Sequence, residues 1–348
     1  MKRRRHRGLY HITLLAALLL LIRRLSFFKM SPSISLCSVD TYSIDEPLKL
    51  ILEVSHGLGN RLRSYASAAA LSNRTGRSLE LVWPSDVHLQ ASFGALFEDT
   101  GIVLHHKSFL ECAQESSTFV VYDYLKNPVD WRHRKPVDVH EGKHIYIRTI
   151  YRVKGVTDFE LAEMSRVLRN LKPAPSVLSL KRSMVDQLAR ETGMKISDAI
   201  GVHIRMQGDL GKDVPGVYQL PRTDPRYAGT RMEQVAQTRS KCHVKHFIKI
   251  MRERLPVNQL YFVASDCFEA RDVIHDEFGR HAFTPRLPEH AYCEGSPVRS
   301  QRCVQLALAE MLLLAETTTF VYSAESSFSE IVVKLGKFEV PPVSGCIS

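Results

Sequence analysis

The sequence predicts an α/β protein with two Rossmann-like domains, and three features of the chain favour this fold class. A strand, a glycine-containing turn, a helix and a second strand follow one another from Leu48, which is the opening unit of a doubly wound domain. Strands and helices alternate again from Gly201 to near the C-terminus. Between these regions, two prolines in LKPAPS, residues 171–176, interrupt a helical pattern and predict a domain boundary.

The N-terminal residues are predicted to anchor the chain in a membrane. The segment GLYHITLLAALLLLI, residues 8–22, has no residue charged at neutral pH and lies between arginines. As a helix it would span ~22 Å, which crosses a hydrocarbon core of about 30 Å only if the flanking arginines snorkel. Two arginines and two phenylalanines follow where a cleavage site of small residues would stand, so we expect a retained anchor rather than a cleaved signal peptide. The positive-inside rule then predicts a cytoplasmic N-terminus and a luminal body.

We therefore divide the chain into four parts. A cytoplasmic tail and signal anchor occupy residues 1–30, and a stem rich in serine and proline occupies residues 31–47. The N-terminal Rossmann-like domain is predicted at residues 48–172 and the C-terminal one at residues 173–348.

Most of the positive charge lies in the tail and anchor. The net charge is +10, and eight positive charges fall in the first 30 residues, which contain no Asp or Glu. The remaining chain carries about +2, without the basic excess expected of a protein that binds nucleic acid.

Cysteine usage is consistent with an oxidising compartment. None of the seven cysteines shows the CxxC spacing of a metal site. Cys293 and Cys303 lie ten residues apart around a loop, and we expect them to form a disulfide. Cys267 directly follows a predicted strand and is expected to be a small buried residue.

The first domain begins with a predicted strand at residues 48–55 and an alanine-rich helix at residues 61–76. The turn between them, HGLGNR, contains two glycines, which permit a positive φ and a close approach of the backbone to a ligand. The elements predicted after this helix are short elements at 93–100 and 104–110, strands at 78–85, 119–124 and 144–151, and a helix at 158–171.

The second domain alternates more regularly between strands and helices. Residues 208–239 interrupt it with a segment that has no clear periodicity, and a loop of this length inside an alternating domain is often functional. The predicted strands are 201–205, 259–266, 281–288 and 319–324, and the predicted helices are 177–192, 242–255, 267–279, 300–318 and 326–336.

Polar side chains stand at the ends of three predicted strands of the second domain. Arg205 ends the first, Asp266 ends the next, and Ser323–Ser327 follow another and open a helix. In a parallel sheet these ends meet at one edge, where a nucleotide lies against helix N-termini. Arg205 would compensate a diphosphate there, and the helix amides would hold phosphate oxygens. Asp266 is the right type of group to accept hydrogen bonds from guanine.

Each of these residues also has a purely structural interpretation. Arg205 would pair with a carboxylate of a neighbouring element, and Asp266 would cap the helix that follows it. Ser327 and Glu330 have the spacing of a capping box. His203, which shares one face of its strand with Arg205, would be a hydrogen-bonded core histidine.

Four motifs, taken in order, resemble those of a known enzyme superfamily. They are HGLGNR near the start, GVHIRMQGD at mid-chain, LYFVASD after it, and SAESSFSEIV near the end. They are similar to motifs of the fucosyltransferase superfamily, which joins core α-1,6-fucosyltransferases, nodulation fucosyltransferases and protein O-fucosyltransferases. The resemblance covers residues 48–336 and implies a GT-B fold, with two facing Rossmann-like domains and GDP-fucose bound mainly by the second. It also implies inverting transfer that needs no metal and no cofactor.

The resemblance implies roles for individual residues. Arg205 is expected to bind the donor diphosphate with support from His203, and these two are the predicted catalytic residues. Met206 follows Arg205 where the α-1,6 and nodulation branches commonly have a second arginine. Asp266 is expected to read guanine, and the other donor-binding residues are expected to be Gly57, Gly59, Asn60, Arg61, Ser326, Ser327 and Phe328.

The general base is left open among His56, Asp209 and Asp213, together with deprotonation through water or by the substrate. We expect a single-pass type II enzyme of the Golgi or ER membrane that moves fucose from GDP-fucose to a glycan or glycoprotein hydroxyl in the lumen. One alternative is a GT-B transferase that uses another sugar nucleotide. The other is a membrane-tethered binding protein of the same fold without turnover.

Overall fold

The computed structural model describes residues 42, 47–98, 101–126, 135–139, 142–153, 158–205, 242–254, 259–293 and 299–346. The chain divides into two units, residues 1–41 and residues 42–348. The first unit, with the predicted anchor, lies outside the described residues. Among the helices that are described, none is both long enough and apolar enough to cross a membrane.

Within the unit at residues 42–348, each half of the chain builds a five-stranded sheet. The strands of the first are β1 (Lys49–Val54), β2 (Ser78–Val82), β3 (Val103–His105), β4 (Phe119–Asp123) and β5 (His144–Thr149). Those of the second are β6 (Ile200–Ile204), β7 (Tyr261–Ser265), β8 (Ala282–Phe283), β9 (Thr319–Tyr322) and β10 (Val343–Ser344).

Both sheets are parallel throughout, in the orders β3-β2-β1-β5-β4 and β10-β9-β6-β7-β8. The predicted α/β fold class is therefore confirmed. In the second sheet the strand order reverses beside β6, because β7 lies on one side of it and β9 on the other. Ligands of open α/β sheets bind at such a switch point, outside the carboxyl ends of the strands.

Nine α-helices are described. They are α1 (Leu58–Thr75), α2 (Leu110–Glu115), α3 (Asp158–Asn170), α4 (Pro175–Thr192), α5 (Val244–Arg254), α6 (Phe268–Phe278), α7 (Pro288–Cys293), α8 (Gln301–Leu314) and α9 (Ser327–Leu335). The short elements α2, α7 and β10 were not predicted. The strand predicted at residues 281–288 is only two residues long, and it ends just before Pro285, whose ring nitrogen has no N–H for a sheet.

One hydrophobic core joins the two halves of the unit. Leu62 of α1, Leu188 of α4, Leu308 of α8 and Ile331 of α9 all belong to it and are almost fully buried. Where this unit divides into domains stays a prediction, and the proposed boundary at residues 172–173 falls between α3 and α4.

Two disulfides are described. Cys293–Cys303, with a Cα–Cα distance of 5.5 Å, confirms the predicted pair. Cys242–Cys346 joins positions 104 residues apart and holds the segment after β10 against the segment that precedes α5. The predicted small buried residue, Cys267, is a free thiol and is partly rather than fully buried.

Candidate active site

Arg205 and Asp266 form an ion pair at the carboxyl edge of the second sheet. Ile204 of β6 pairs with Ser265 of β7, so the residue after each strand leaves the sheet at the same place. Arg205 Nη1 lies 2.9 Å from Asp266 Oδ2, and the two side chains are 21% and 23% exposed. The structure thus brings together two residues that were predicted to end neighbouring strands. It also shows the ion pair that a purely structural interpretation of Arg205 predicts. A planar guanidinium can meet a carboxylate on one edge and a phosphate on another.

The backbone at this edge is held by buried serines. Ser323 Oγ accepts a hydrogen bond from Arg205 N at 2.8 Å and donates one to His203 O at 3.2 Å. On the other side, Ser265 Oγ donates to Ile204 O at 2.7 Å. The neighbouring strands therefore fix the position from which Arg205 projects.

His203 lies inside the fold and contacts the start of α9. It is 4% exposed, its Nδ1 is 2.7 Å from Ser329 Oγ, and its ring stacks on Phe328 with centroids 4.4 Å apart. Burial is the main cause that lowers the pKa of His203 to about 4, so the imidazole is neutral at neutral pH. In this structure the residue is a hydrogen-bonded core histidine that contacts Ser329 and Phe328 of α9. Its support of Arg205 in catalysis stays a prediction.

The N-terminus of α9 points at the same edge. Ser326 is its N-cap, and Ser326 Oγ accepts a hydrogen bond from Ser329 N. The predicted capping box of Ser327 with Glu330 is therefore wrong by one residue, because Ser327 already begins the helix. Ser327 and Phe328 are partly buried in the first turn, where helix amides and the dipole favour an anion. Asp266 does not cap α6, whose N-cap is the residue after it.

The glycine turn of the first half meets this helix start. A Cβ on Gly59 would stand 2.6 Å from Ser327 C and 2.7 Å from Phe328 N. Gly57 is the N-cap of α1 with φ −70°, and neither Gly57 nor Gly59 uses the positive φ that glycine permits. The residue with a positive φ is His56, at 68°. Close approach, rather than left-handed backbone, is the reason for glycine at these two positions.

Arg61 is fully buried at 0% exposure, and its guanidinium holds the turn together. It donates to His56 O, to Pro84 O and to Asp86 Oδ2, each at 2.8 Å, and stacks over Trp83 at 4.9 Å. This placement favours a structural role for Arg61 over the predicted donor contact.

Asn60 lies in the joint between the two halves. Its Oδ1 accepts a hydrogen bond from Arg63 Nη2 at 2.9 Å, and Arg63 Nη1 pairs with Glu330 of α9 at 3.0 Å. Asn60 is therefore linked to α9 of the second half through Arg63, and its contact with the donor stays a prediction.

His56 stacks on a second histidine, His88, with ring centroids 4.7 Å apart. Asp86 Oδ2 accepts a hydrogen bond from His56 N at 2.9 Å, and Asp86 Oδ1 accepts one from His88 N at 2.7 Å. Burial is the largest cause that lowers the pKa of each imidazole, and the charge of His88 lowers that of His56 further. A neutral imidazole at this edge of the first sheet can accept a proton.

Two of the predicted bases lie outside the described residues. Asp209 and Asp213, like Met206, fall in the segment 206–241. In the described part of the chain no group of three or more His, Cys, Asp or Glu side chains is arranged to hold a metal ion. Transfer without a metal stays a prediction.

Asp86, His88 and Arg299 were not predicted as site residues. Asp86 and His88 follow β2, so the search for polar residues at strand ends could have found them in the first domain as well. Arg299 precedes α8, and nothing in the sequence pattern indicates that its side chain reaches Gly57 of the first half.

This architecture is similar to that of solved fucosyltransferases. The fucosyltransferase NodZ from Bradyrhizobium superposes with a TM-score of 0.50 at 18% identity, covering 84% of this chain and 94% of that one. The structure of NodZ alpha-1,6-fucosyltransferase soaked with GDP-fucose superposes with a TM-score of 0.50 at 18% identity, covering 83% and 93%. No protein-family model matches the chain, and no curated protein matches its sequence. The two sheets and their helices thus have the GT-B fold that the motifs implied.

Proposed function

We propose that this protein transfers fucose from GDP-fucose to a hydroxyl of a glycan or glycoprotein. The observation that carries the proposal is the arrangement of Arg205, Asp266 and the α9 N-terminus at the switch point of the second sheet. The four motifs and the similarity to a fold solved with GDP-fucose support the choice of donor.

The diphosphate would lie between Arg205 and the first turn of α9. A guanidinium and a helix N-terminus are both suited to an anion, and their positions are set in advance by Ser323 and by the cap at Ser326. When the bond from C1 of fucose to the phosphate oxygen breaks, the electron pair stays on GDP. Arg205 and the helix amides then stabilise the negative charge that develops, in place of a metal ion.

The acceptor would approach from the opposite face of the sugar. Its hydroxyl oxygen forms the new bond to C1 with inversion, and its proton passes to a base. Among the residues that the structure describes, His56 is the candidate for this base. Its imidazole lies at the edge of the first sheet, and burial lowers its pKa and so favours the neutral form. Asp209 and Asp213 remain the other candidates.

Asp266 would read guanine while it is paired with Arg205. A carboxylate accepts several hydrogen bonds, so one group can orient the guanidinium and meet the base edge.

We further propose that the enzyme is a type II protein of the Golgi or ER membrane with its catalytic part in the lumen. The apolar segment at residues 8–22 and the disulfides support that location.

The proposal is tested by replacing Arg205 in the full-length protein. Wild type should release GDP from GDP-fucose when offered a panel of glycan and peptide acceptors, and Arg205→Ala should reduce turnover by about 100-fold or more. Arg205→Lys should recover little of the lost turnover, because an ammonium group cannot make the paired hydrogen bonds of a planar guanidinium. Wild-type turnover by Arg205→Ala would refute the proposal.

Donor identity is tested by thermal stabilisation, since a bound ligand raises the unfolding temperature. GDP and GDP-fucose should stabilise the protein more than UDP and GDP-mannose. A preference for another nucleotide would assign another sugar donor. Binding of GDP-fucose without transfer to any acceptor would indicate a binding protein.

A further inference from the structure

Arg299 occupies a fixed position between the two halves. Its carbonyl oxygen accepts a hydrogen bond from Gln90 N of the first half at 3.0 Å. The next residue, Ser300, caps α8, and the disulfide at Cys303 ties the first turn of that helix to Cys293. The backbone that carries Arg299 is therefore held on both sides.

The guanidinium of Arg299 reaches the glycine turn. A Cβ on Gly57 would stand 2.8 Å from Arg299 Nη1. The side chain is partly buried, and the charges that act on it are those of Arg205 and Asp266 from the second sheet and of Asp86 from the first half. Arg299 thus lies where the two parts of the candidate site meet.

The charges of the described side chains around this position do not balance. Arg61 pairs with Asp86 at 2.8 Å, and Arg205 pairs with Asp266 at 2.9 Å. Arg299 is a third guanidinium, and it forms no ion pair within the residues that the structure describes. Because the two nearby carboxylates are already paired with other arginines, the cluster of these five side chains carries one positive charge in excess.

An excess positive charge in a partly buried position is unfavourable unless an anion joins it. Burial, followed by the positive charge of Arg205, lowers the pKa of Arg299 to about 10. The guanidinium still carries its charge at neutral pH. Among the described residues no further carboxylate pairs with it, and a diphosphate held by Arg205 would supply the missing negative charge.

We propose that Arg299 is a second diphosphate-binding guanidinium, which closes the site from the segment before α8 while Arg205 binds from the end of β6. The inference rests on the proposed function of this site as a nucleoside diphosphate-sugar site. The diphosphate would then be held from two elements of the fold that are far apart in the sequence.

Calorimetry on the full-length protein tests the proposal with GDP and guanosine as probes. Arg299→Ala should weaken GDP binding by about 10- to 100-fold, the range for loss of one charge-assisted contact, and leave guanosine binding unchanged. The GDP affinity of Arg299→Lys should lie between those of Arg299→Ala and wild type. Arg302→Ala is the matched control, because Arg302 lies three residues away and pairs with Glu289 on the surface.

Inorganic pyrophosphate in metal-free buffer separates this proposal from the proposed function. Wild type and Arg302→Ala should be stabilised against heat by pyrophosphate, and Arg299→Ala should not. This readout does not depend on the base, the sugar or the acceptor. If wild type transfers no fucose from GDP-fucose but the three proteins respond to pyrophosphate as expected, the proposed function is refuted and the role of Arg299 is not.

A substitution at Gly57 gives an independent geometric test. Its φ of −70° suits alanine, and the atom that the new Cβ would meet is the end of a flexible side chain. Gly57→Ala should displace the Arg299 guanidinium and weaken GDP binding, and it should add little in the Arg299→Ala background.

Three results would overturn the role of Arg299. They are unchanged GDP affinity in Arg299→Ala, an equal loss of guanosine and GDP binding, or no stabilisation of wild type by pyrophosphate. An equal loss would show that the side chain supports the nucleoside pocket rather than the diphosphate. Circular dichroism of each variant establishes that the fold is retained.

Discussion

Gly59 and Ser327 are in direct backbone contact, since a Cβ on Gly59 would stand 2.6 Å from the carbonyl carbon of Ser327. Gly59 lies in the first turn of α1, and Ser327 begins α9 in the other half of the unit. The N-termini of two helices that are distant in the sequence therefore form one joint. The ion pair of Arg63 with Glu330 spans the same joint at 3.0 Å.

Gly59→Ala is expected to destabilise the protein by about 1–3 kcal/mol, the usual range for overpacking. The new Cβ would meet backbone atoms, which cannot turn aside as a side-chain end can. Urea unfolding of the full-length protein measures the change. Gly94→Ala is the control, because a Cβ there meets nothing within 4 Å. Equal stability of both variants and wild type would show that the contact is not tight.

Asp266→Asn is expected to reduce the ratio of the affinity for GDP to the affinity for inosine diphosphate. A carboxylate that accepts a hydrogen bond from the 2-amino group of guanine contributes about 10- to 100-fold to affinity. The base of inosine diphosphate lacks that amino group. Calorimetry with both nucleotides measures the preference, with Asp272→Asn on the exposed face of α6 as the control. An equal loss of both affinities would mean that Asp266 acts by orienting Arg205.

His203 is expected to make the protein less stable as the pH falls from about 6.5 to 4. Burial lowers the pKa of the folded-state imidazole to about 4, below that of the unfolded chain, so protons bind the unfolded state first. The stabilisation is complete above the unfolded pKa and is lost through this window, by up to about 3 kcal/mol.

Urea unfolding across pH 4–7 tests this pH dependence. His203→Gln should remove this component of the pH dependence, and His275→Gln, on the exposed face of α6, should retain it. If wild type and His203→Gln show parallel pH profiles, the imidazole titrates normally.

Loss of the disulfide Cys242–Cys346 is expected to destabilise the protein more than loss of Cys293–Cys303. The first closes a loop of 104 residues and the second a loop of 10. Loop-closure entropy predicts about 5 and about 3 kcal/mol, respectively. Unfolding of Cys346→Ser and Cys303→Ser measures both, and the reverse order would show that local strain or residual structure decides instead.

The sequence predicted most of the secondary structure, because periodicity and turn residues act locally. The strand ends at Arg205 and Asp266 were predicted to share one edge, and the parallel register of β6 with β7 brings them together. The helix α1 begins at Leu58, three residues before its predicted start, because the turn HGLGNR already forms its first turn.

Other features depended on contacts between distant residues. Local sequence does not distinguish a ligand-facing from a core His203, whereas its stacking on Phe328 and its hydrogen bond to Ser329 place it in the core. The cap of α9 falls on Ser326, although Ser327 has the better local pattern. Neither outcome is encoded in a short window of sequence.

The resemblance of four motifs to a known family supplied the candidate donor, and by itself the sequence determined the alternation of strands and helices and the polar strand ends. These follow from side-chain period, from glycine and proline punctuation and from residue type, all of which are local properties. Only the tertiary structure decided that Gly59 packs on Ser327, that Arg61 is buried and that the Arg299 side chain reaches Gly57. The physical reason is that close approach and charge balance are properties of residues that meet in space, whatever their separation along the chain.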